Sequence, residues 1–158
     1  MAFEIERKFL IKDKNILKGL QNGEHLIQGY LSLTSENIVR LRVKQNLTAF
    51  ITIKRSVTPV RKYEYEYEIP VEEALSMLKN ICVKPLIEKK RYLINSHGFK
   101  WEIDVFEGVF AGIVIAEIEL PEEHTPFEKP SWIGDEVTYD PAYRNAEMVR
   151  RFRNSGGS

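Results

Sequence analysis

Apolar and charged side chains alternate one for one through most of this chain. In the opening stretch Phe3, Ile5, Phe9 and Ile11 are apolar or aromatic, and Glu4, Glu6 and Lys8 fall between them. A strand turns successive side chains to opposite faces, so two carboxylates and an ammonium share one face while the other is oily save for Arg7. The same period of two returns in residues 25–34, 38–45 and 47–55. It is plainest in 61–70, where Tyr63, Tyr65, Tyr67 and Ile69 interleave with Glu64, Glu66 and Glu68. Residues 85–95, 100–107 and 113–120 repeat it, which makes eight predicted strands. Turn signals separate them: Asn22-Gly23, Ser35-Glu36-Asn37, the Pro59 loop at 56–60, His97-Gly98 and the 108–112 segment.

Helical period appears in three places. Asp13 reads as the N-cap of a short turn that stops at Gly19. Residues 71–81 place Val71, Ala74, Leu75, Leu78 and Cys82 on one stripe, and Pro85 ends that helix and opens the next strand. A final helix is expected over 143–152, residues 121–130 read as irregular, and 154–158 as a disordered tail. Eight strands joined mainly by hairpin-length turns form an antiparallel meander, and eight is a number that closes. The expected fold is α+β dominated by β: an eight-stranded antiparallel closed barrel with a few flanking helices, in one domain over residues 1–153.

The charges decide what the barrel is for. Acids fall together on Glu4 and Glu6, on Glu64, Glu66 and Glu68, on Glu102 and Asp104, and on Glu117 and Glu119; bases fall on Lys8, Arg40, Arg42, Lys54, Lys89 and Arg91. Two readings are open. The charged face is the wet outside of a barrel with an apolar core, or it lines a water-filled lumen and the oily face looks outward. Same-sign pairs at alternate positions on six strands speak for the lumen, because like charges facing each other destabilise, and the apolar filling usual in small barrels speaks for the outside. Such a lumen suits a polyanion held with a hard divalent metal. Arginines grip phosphate oxygens bidentately, lysines act as point charges, and carboxylates offer oxygen donors to Mg²⁺ or Mn²⁺. Cationic clamp and metal together are the equipment of phosphoryl transfer.

Composition narrows the setting. The 158 residues hold 23 Lys plus Arg and 23 Asp plus Glu, so no global field points to a nucleic-acid partner. No apolar run is long enough to span a bilayer and no signal peptide is read at the start, so no membrane is expected. One cysteine, Cys82, in an apolar stretch fits a reducing cytoplasm. An apolar barrel exterior with few helices to cover it makes a homodimer the expected way to hide the rest. His25, His97 and His124 lack metal-ligand spacing and read as surface residues, and the tyrosine ladder reads as packing.

The ordered set of motifs resembles the CYTH superfamily, the triphosphate tunnel metalloenzymes. It comprises the ExExK signature at Glu4-Ile5-Glu6-Arg7-Lys8, then Gln28-Gly29-Tyr30-Leu31, Val39-Arg40-Leu41-Arg42, Thr52-Ile53-Lys54, the Glu64/Glu66/Glu68 ladder, Lys89-Lys90-Arg91, Glu102-Ile103-Asp104, Glu117-Ile118-Glu119 and Glu136-Val137-Thr138. The resemblance implies an eight-stranded tunnel in which Glu4, Glu6, Glu117 and Glu119 hold the principal metal ion and Asp104 attends a second metal or its water. It implies that Lys8, Arg40, Arg42, Lys54, Lys89 and Arg91 grip the phosphates, with Tyr30 and Lys8 beside the scissile one. Glu64 and Glu66 would orient the bases or the attacking water, and Tyr143-Arg144-Asn145 would plug or line one mouth. The compact chain looks most like bacterial inorganic triphosphatases, which implies hydrolysis of tripolyphosphate to pyrophosphate and phosphate. A class IV-type adenylyl cyclase, or hydrolysis of thiamine triphosphate or a nucleoside triphosphate, is the alternative.

Overall fold

The computed structural model describes residues 3–33 and 36–156. Its strands are β1 (Phe3–Ile11), β2 (Glu24–Tyr30), β3 (Ile38–Lys44), β4 (Thr48–Ser56), β5 (Arg61–Ile69), β6 (Val83–Ser96), β7 (Phe99–Glu107), β8 (Val114–Glu119) and β9 (Ile133–Glu136). Helix α1 (Val71–Asn80) lies between β5 and β6, and α2 (Asn145–Asn154) follows β9. The neighbour order is β5-β4-β3-β2-β6-β7-β8-β1, and β1 returns to β5 through Phe3–Tyr63, Glu4–Lys62 and Ile5–Arg61. Eight antiparallel strands therefore close into the expected barrel.

The ninth strand has no counterpart in the alternation. β5 covers only the first residues of one edge of β1, and β9 takes the remainder through Phe9–Glu136 and Ile11–Ile133. It also accounts for Arg7 on the oily face: Arg7 Nε and Nη2 each reach a Glu136 carboxylate oxygen at 2.7 Å. The pattern misses β9 because four residues with one buried apolar anchor, Ile133, carry too little periodicity.

Local chemistry explains most boundaries. His97 and Gly98 both have positive φ, 50° and 81°, in the two-residue hairpin that sets Ser96 opposite Phe99. Pro85 does not open its strand. β6 begins at Val83, and the β2–β6 register shifts between Gln28–Ile87 and Tyr30–Val83, where a residue lacking an N–H can be accommodated. The expected turn at 35–37 falls partly outside the described residues. Helix α2 runs on to Asn154, so the expected tail shrinks, and 157–158 lie outside the described residues.

The oily faces look outward and are covered. Over β2, β3 and β4, Leu41, Val43 and Ala49 pack under Ala74, Leu78 and Cys82. A Cβ at Gly29 would meet Leu86 Cδ2 at 2.8 Å and Leu78 Cδ2 at 3.0 Å, so this glycine lets the end of α1 close onto β2. Leu75 is not on the buried stripe as its spacing predicts. It lies on the flank of α1, 39% exposed, and Met77 packs in its place. Over β1, β7 and β8, Phe9, Trp101, Ile103 and Ile118 are fully buried beneath Ile16, Leu17, Phe127 and Trp132. Phe127 stands edge-on to both Phe9 and Trp101, with ring centres 5.9 Å apart in each case. Each such side chain stabilises the fold by roughly 1.5–3 kcal/mol through burial.

Cover runs out at β5. Tyr63 lies 4.8 Å from Phe3, but Tyr65 and Tyr67 are 42% and 59% exposed. The packing expected for the ladder therefore holds only at Tyr63; the cluster under α1 takes in Ile69 at the end of β5 but neither Tyr65 nor Tyr67. No helix is long and apolar enough to cross a membrane among the described residues.

Candidate active site

The inward faces enclose a cavity of about 480 Å³ whose wall is charged on nearly every strand. Glu4, Glu6 and Lys8 from β1, Arg40, Arg42 and Lys44 from β3, Lys54 from β4, Glu64 and Glu66 from β5, Lys89 and Arg91 from β6, and Glu117 and Glu119 from β8 all line it. Of the two orientations left open by the pattern, the lumen is the one adopted. Among the described residues, only Tyr30, Ile38 and Ala146 in that lining are apolar or aromatic.

Strand order divides the wall into halves. The adjacent strands β5, β1, β8 and β7 carry the acids, whereas β4, β3, β2 and β6 carry the bases and neutral Gln28. Lys8 and Lys62 are the lining bases that stand within the acidic half. This arrangement brings like charges together on each side and leaves opposite charges to meet across and at the borders.

On the acidic side Glu6 stands directly opposite Glu119, and Glu102 directly opposite Glu117. Burial pushes the Glu117 carboxyl above its ordinary value, and Glu6 pushes it further. Burial likewise raises Glu102 against the pull of Arg91, and raises Glu119 with help from Glu4. Lys8 gives partial relief, its Nζ lying 3.8 Å from Glu117 and donating to the Tyr143 carbonyl at 3.4 Å. Crowded, partly desolvated carboxylates with oxygen donors alone are the chemistry a hard divalent cation requires.

The basic side is deeper and more tightly bonded. Lys89 and Asp104, both about 1% exposed, pair at 2.7 Å. Arg91 holds the same carboxylate in a fork, Nε to Oδ1 at 2.7 Å and Nη2 to Oδ2 at 2.8 Å, and reaches Glu102 at 2.7 Å. Burial alone would raise Asp104, but Lys89 and Arg91 override it and hold it well below the usual carboxylate range. Both oxygens of Asp104, the acid that the resemblance places near a second metal or its water, engage these cations. Glu102, given no role from its sequence position, stands in the carboxylate row.

Arg42 is drawn down to about 9 by burial and by neighbouring Arg40 and Arg91, and among the described residues it makes no ion pair. Its Nε and Nη2 donate to Gln28 Oε1 at 2.9 and 2.7 Å. Arg40 Nη2 reaches Thr52 Oγ1 at 3.3 Å and Glu66 at 3.6 Å, while its buried Nε has no partner among the described residues. Lys54 bridges Glu4 at 2.9 Å and Glu64 at 3.2 Å; burial lowers its pKa, Glu4 raises it, and the net direction is upward. Glu64 and Glu66 thus each stand within ion-pair distance of a base. The Tyr30 hydroxyl accepts from Gln28 Nε2 at 3.3 Å, and Tyr30 and Lys8 both line the cavity.

One end of the lumen is closed. Tyr30, Ile87, Phe106 and Ile115 continue the inward faces as apolar residues, and Met148 and Val149 of α2 pack against them. Arg144, Asn145, Glu147 and Arg150 therefore also line the cavity, as do Lys44 and Lys62. The two lysines were legible in principle, since each continues an inward-facing alternation. Glu147 and Arg150 of α2 were not, because a helix closing a barrel leaves no period-two signal. On the outer wall the structure also brings His25 Nε2 to 3.5 Å from Glu88 and 3.9 Å from Glu107.

Comparison with known proteins agrees with this geometry. The CYTH domain profile matches residues 2–152. An inorganic triphosphatase of Acetivibrio thermocellus is 47% identical over 150 residues, covering 95% of each chain. One from Nitrosomonas europaea is 34% identical over 149 residues, covering 92% of this chain and 96% of its own. The crystal structure of the inorganic triphosphatase NE1496 matches with a TM-score of 0.65 at 32% identity, covering 94% of this chain and 95% of that one.

Proposed function

The chain belongs to the CYTH domain family, and we propose that it is a metal-dependent inorganic triphosphatase that hydrolyses tripolyphosphate to pyrophosphate and phosphate. The observation that carries this is the division of one lumen into a carboxylate half and a cation half. Full-length similarity to two inorganic triphosphatases supports the same reading.

In this reading Glu4, Glu6, Glu117 and Glu119 hold a divalent cation, Mg²⁺ or Mn²⁺, joined by Glu102 from the next strand. The bound cation would screen charge on the phosphate oxygens and polarise the phosphorus under attack. Arg40, Arg42, Lys54, Lys89 and Arg91 take phosphate oxygens from the opposite wall, and Lys8 does so from within the carboxylate row. Arg40 Nε, buried and without a partner among the described residues, is a donor ready for such an oxygen. Glu64, Glu66 and Asp104 keep the bases aimed into the cavity and hold no metal. The protein's share of the acceleration is then positioning and charge stabilisation.

A cyclase or an organic triphosphatase needs an apolar slot for a ring. A lining that is charged or polar except at Tyr30, Ile38 and Ala146 gives little room for one. The test is phosphate release from tripolyphosphate, ATP and thiamine triphosphate with Mg²⁺ or Mn²⁺. Tripolyphosphate should be the preferred substrate by kcat/KM; preference for ATP, with cyclic AMP formed, would replace this function with the cyclase.

A further inference from the structure

Two cations on the basic wall are joined through neutral amides. Arg42 donates twice to Gln28 Oε1, Gln28 Nε2 donates to Asn145 Oδ1 at 2.9 Å, and Lys89 Nζ donates to that same Asn145 oxygen at 2.9 Å. Arginine and lysine only donate, so the first and last bonds dictate which way each amide points. The middle bond then closes with the correct polarity. Gln28 is fully buried and Arg42 is 6% exposed, so little water competes for these groups. Lys89 also pairs with Asp104 at 2.7 Å, and other lumen bases are held by carboxylates, Lys54 by Glu4 and Glu64 and Arg91 by Asp104 and Glu102. Arg42 is held by the Gln28 amide oxygen and makes no ion pair among the described residues.

The choice of acceptor has a consequence for binding. A carboxylate holds a cation and also cancels its field, whereas an amide oxygen holds it and leaves the charge for an incoming anion. We propose that Gln28 and Asn145 are positioning residues: their bridge fixes Arg42 and Lys89 on the tunnel wall without adding negative charge, so that Arg42, with no carboxylate partner among the described residues, meets the polyphosphate at full charge and Lys89 shares its charge with Asp104 alone. Asn145 begins α2, so the bridge also ties the closing helix to the depth of the clamp. This rests on the lumen being the polyphosphate site.

The proposal orders the variants in a way that a purely structural bridge would reverse. Asn145→Asp keeps both acceptor bonds but adds a negative charge beside Lys89; Asn145→Ala removes the bonds and adds none. The measurement is calorimetric binding of tripolyphosphate in EDTA, where no metal supports turnover, with thermal unfolding of each variant as a folding control. Asn145→Ala should weaken binding several-fold, and Asn145→Asp should weaken it by roughly a further tenfold although it is at least as stable, the size expected of one charge at a part-buried site. Gln28→Glu gives the second case: it keeps both bonds from Arg42, gives up the Nε2 donor to Asn145, adds a negative charge beside Arg42 and should likewise weaken binding more than Asn145→Ala. Near wild-type binding in Asn145→Asp or Gln28→Glu would overturn the proposal, as would wild-type protein that does not bind tripolyphosphate. Wild-type binding with this order of variants, but no hydrolysis when metal is restored, would remove the triphosphatase function and leave the positioning role standing.

Discussion

Glu6 on β1 and Glu119 on β8 stand directly opposite one another inside the lumen, two acids in cross-strand register. Facing like charges destabilise a sheet. The relationship makes sense where a cation is to sit between them. Glu119→Gln should therefore raise the thermal stability of metal-free protein, by roughly 0.2–1 kcal/mol for the relieved pair. The same change should sharply reduce the stabilisation that Mg²⁺ or Mn²⁺ confers. A variant less stable than wild type in EDTA would show that the pair is held by contacts of another kind.

The pH dependence of stability follows from two opposed groups of carboxyls. Glu102, Glu117 and Glu119 are raised above the ordinary value of 4.5 by burial and by neighbouring carboxylates, Glu6 for Glu117 and Glu4 for Glu119. The folded chain then keeps protons that the unfolded chain has released, so metal-free protein loses stability as pH rises from 4.5 through the raised values. Asp104 and Glu136 are lowered by their cationic partners, and the stability they contribute is lost as pH falls below the ordinary carboxyl range. Melting in EDTA should peak at mildly acidic pH and decline toward neutrality. Saturating Mg²⁺ should remove that decline by holding the carboxylates ionised; an unchanged decline with metal would contradict this origin.

Asp104 anchors the basic wall. Asp104→Asn leaves Lys89 and Arg91 buried beside a neutral amide, and the loss should be about 3–5 kcal/mol, the cost of breaking a buried charge pair. Chemical denaturation reads it directly. A loss below about 1 kcal/mol would mean that the pair is no better held than an exposed one.

Gly29 separates folding from chemistry, since it faces α1 and not the cavity. Gly29→Ala puts a methyl into Leu78 and Leu86 and should destabilise by roughly 1–3 kcal/mol through overpacking. The folded fraction should keep its tripolyphosphate KM. A large KM change with normal stability would mean that the position of α1 is coupled to the lumen.

Much of this molecule is legible from its pattern. Alternation in β1, β5 and β8 identifies Glu4, Glu6, Glu64, Glu66, Glu117 and Glu119 as same-face acids, and the turns at Asn22-Gly23 and His97-Gly98 fall where expected. The choice of inside or outside is not legible in the period, which is identical for both. It is decided by cover: α1 and residues such as Phe127 and Trp132 occupy the oily face. The division into charged halves is hidden because it depends on β2 lying next to β6 and β1 next to β5, pairings between strands far apart in the chain. Asp104 sits on the same inward face as Glu102, yet its neighbours on β6, not its own strand, decide that it holds cations. Asn145 and Gln28 both fall in motifs read from the sequence, but their bridge does not show there for a related reason: an uncharged side chain has no sign to betray its place in a charged network.

The most direct measurement is phosphate release from tripolyphosphate with Mg²⁺ by wild-type protein and by Glu117→Ala, both confirmed as folded. Steady turnover by the wild type and near-complete loss in the variant is the expected result. Equal turnover in the two proteins, or none in the wild type with either metal, would contradict a lumen that works through its acidic wall.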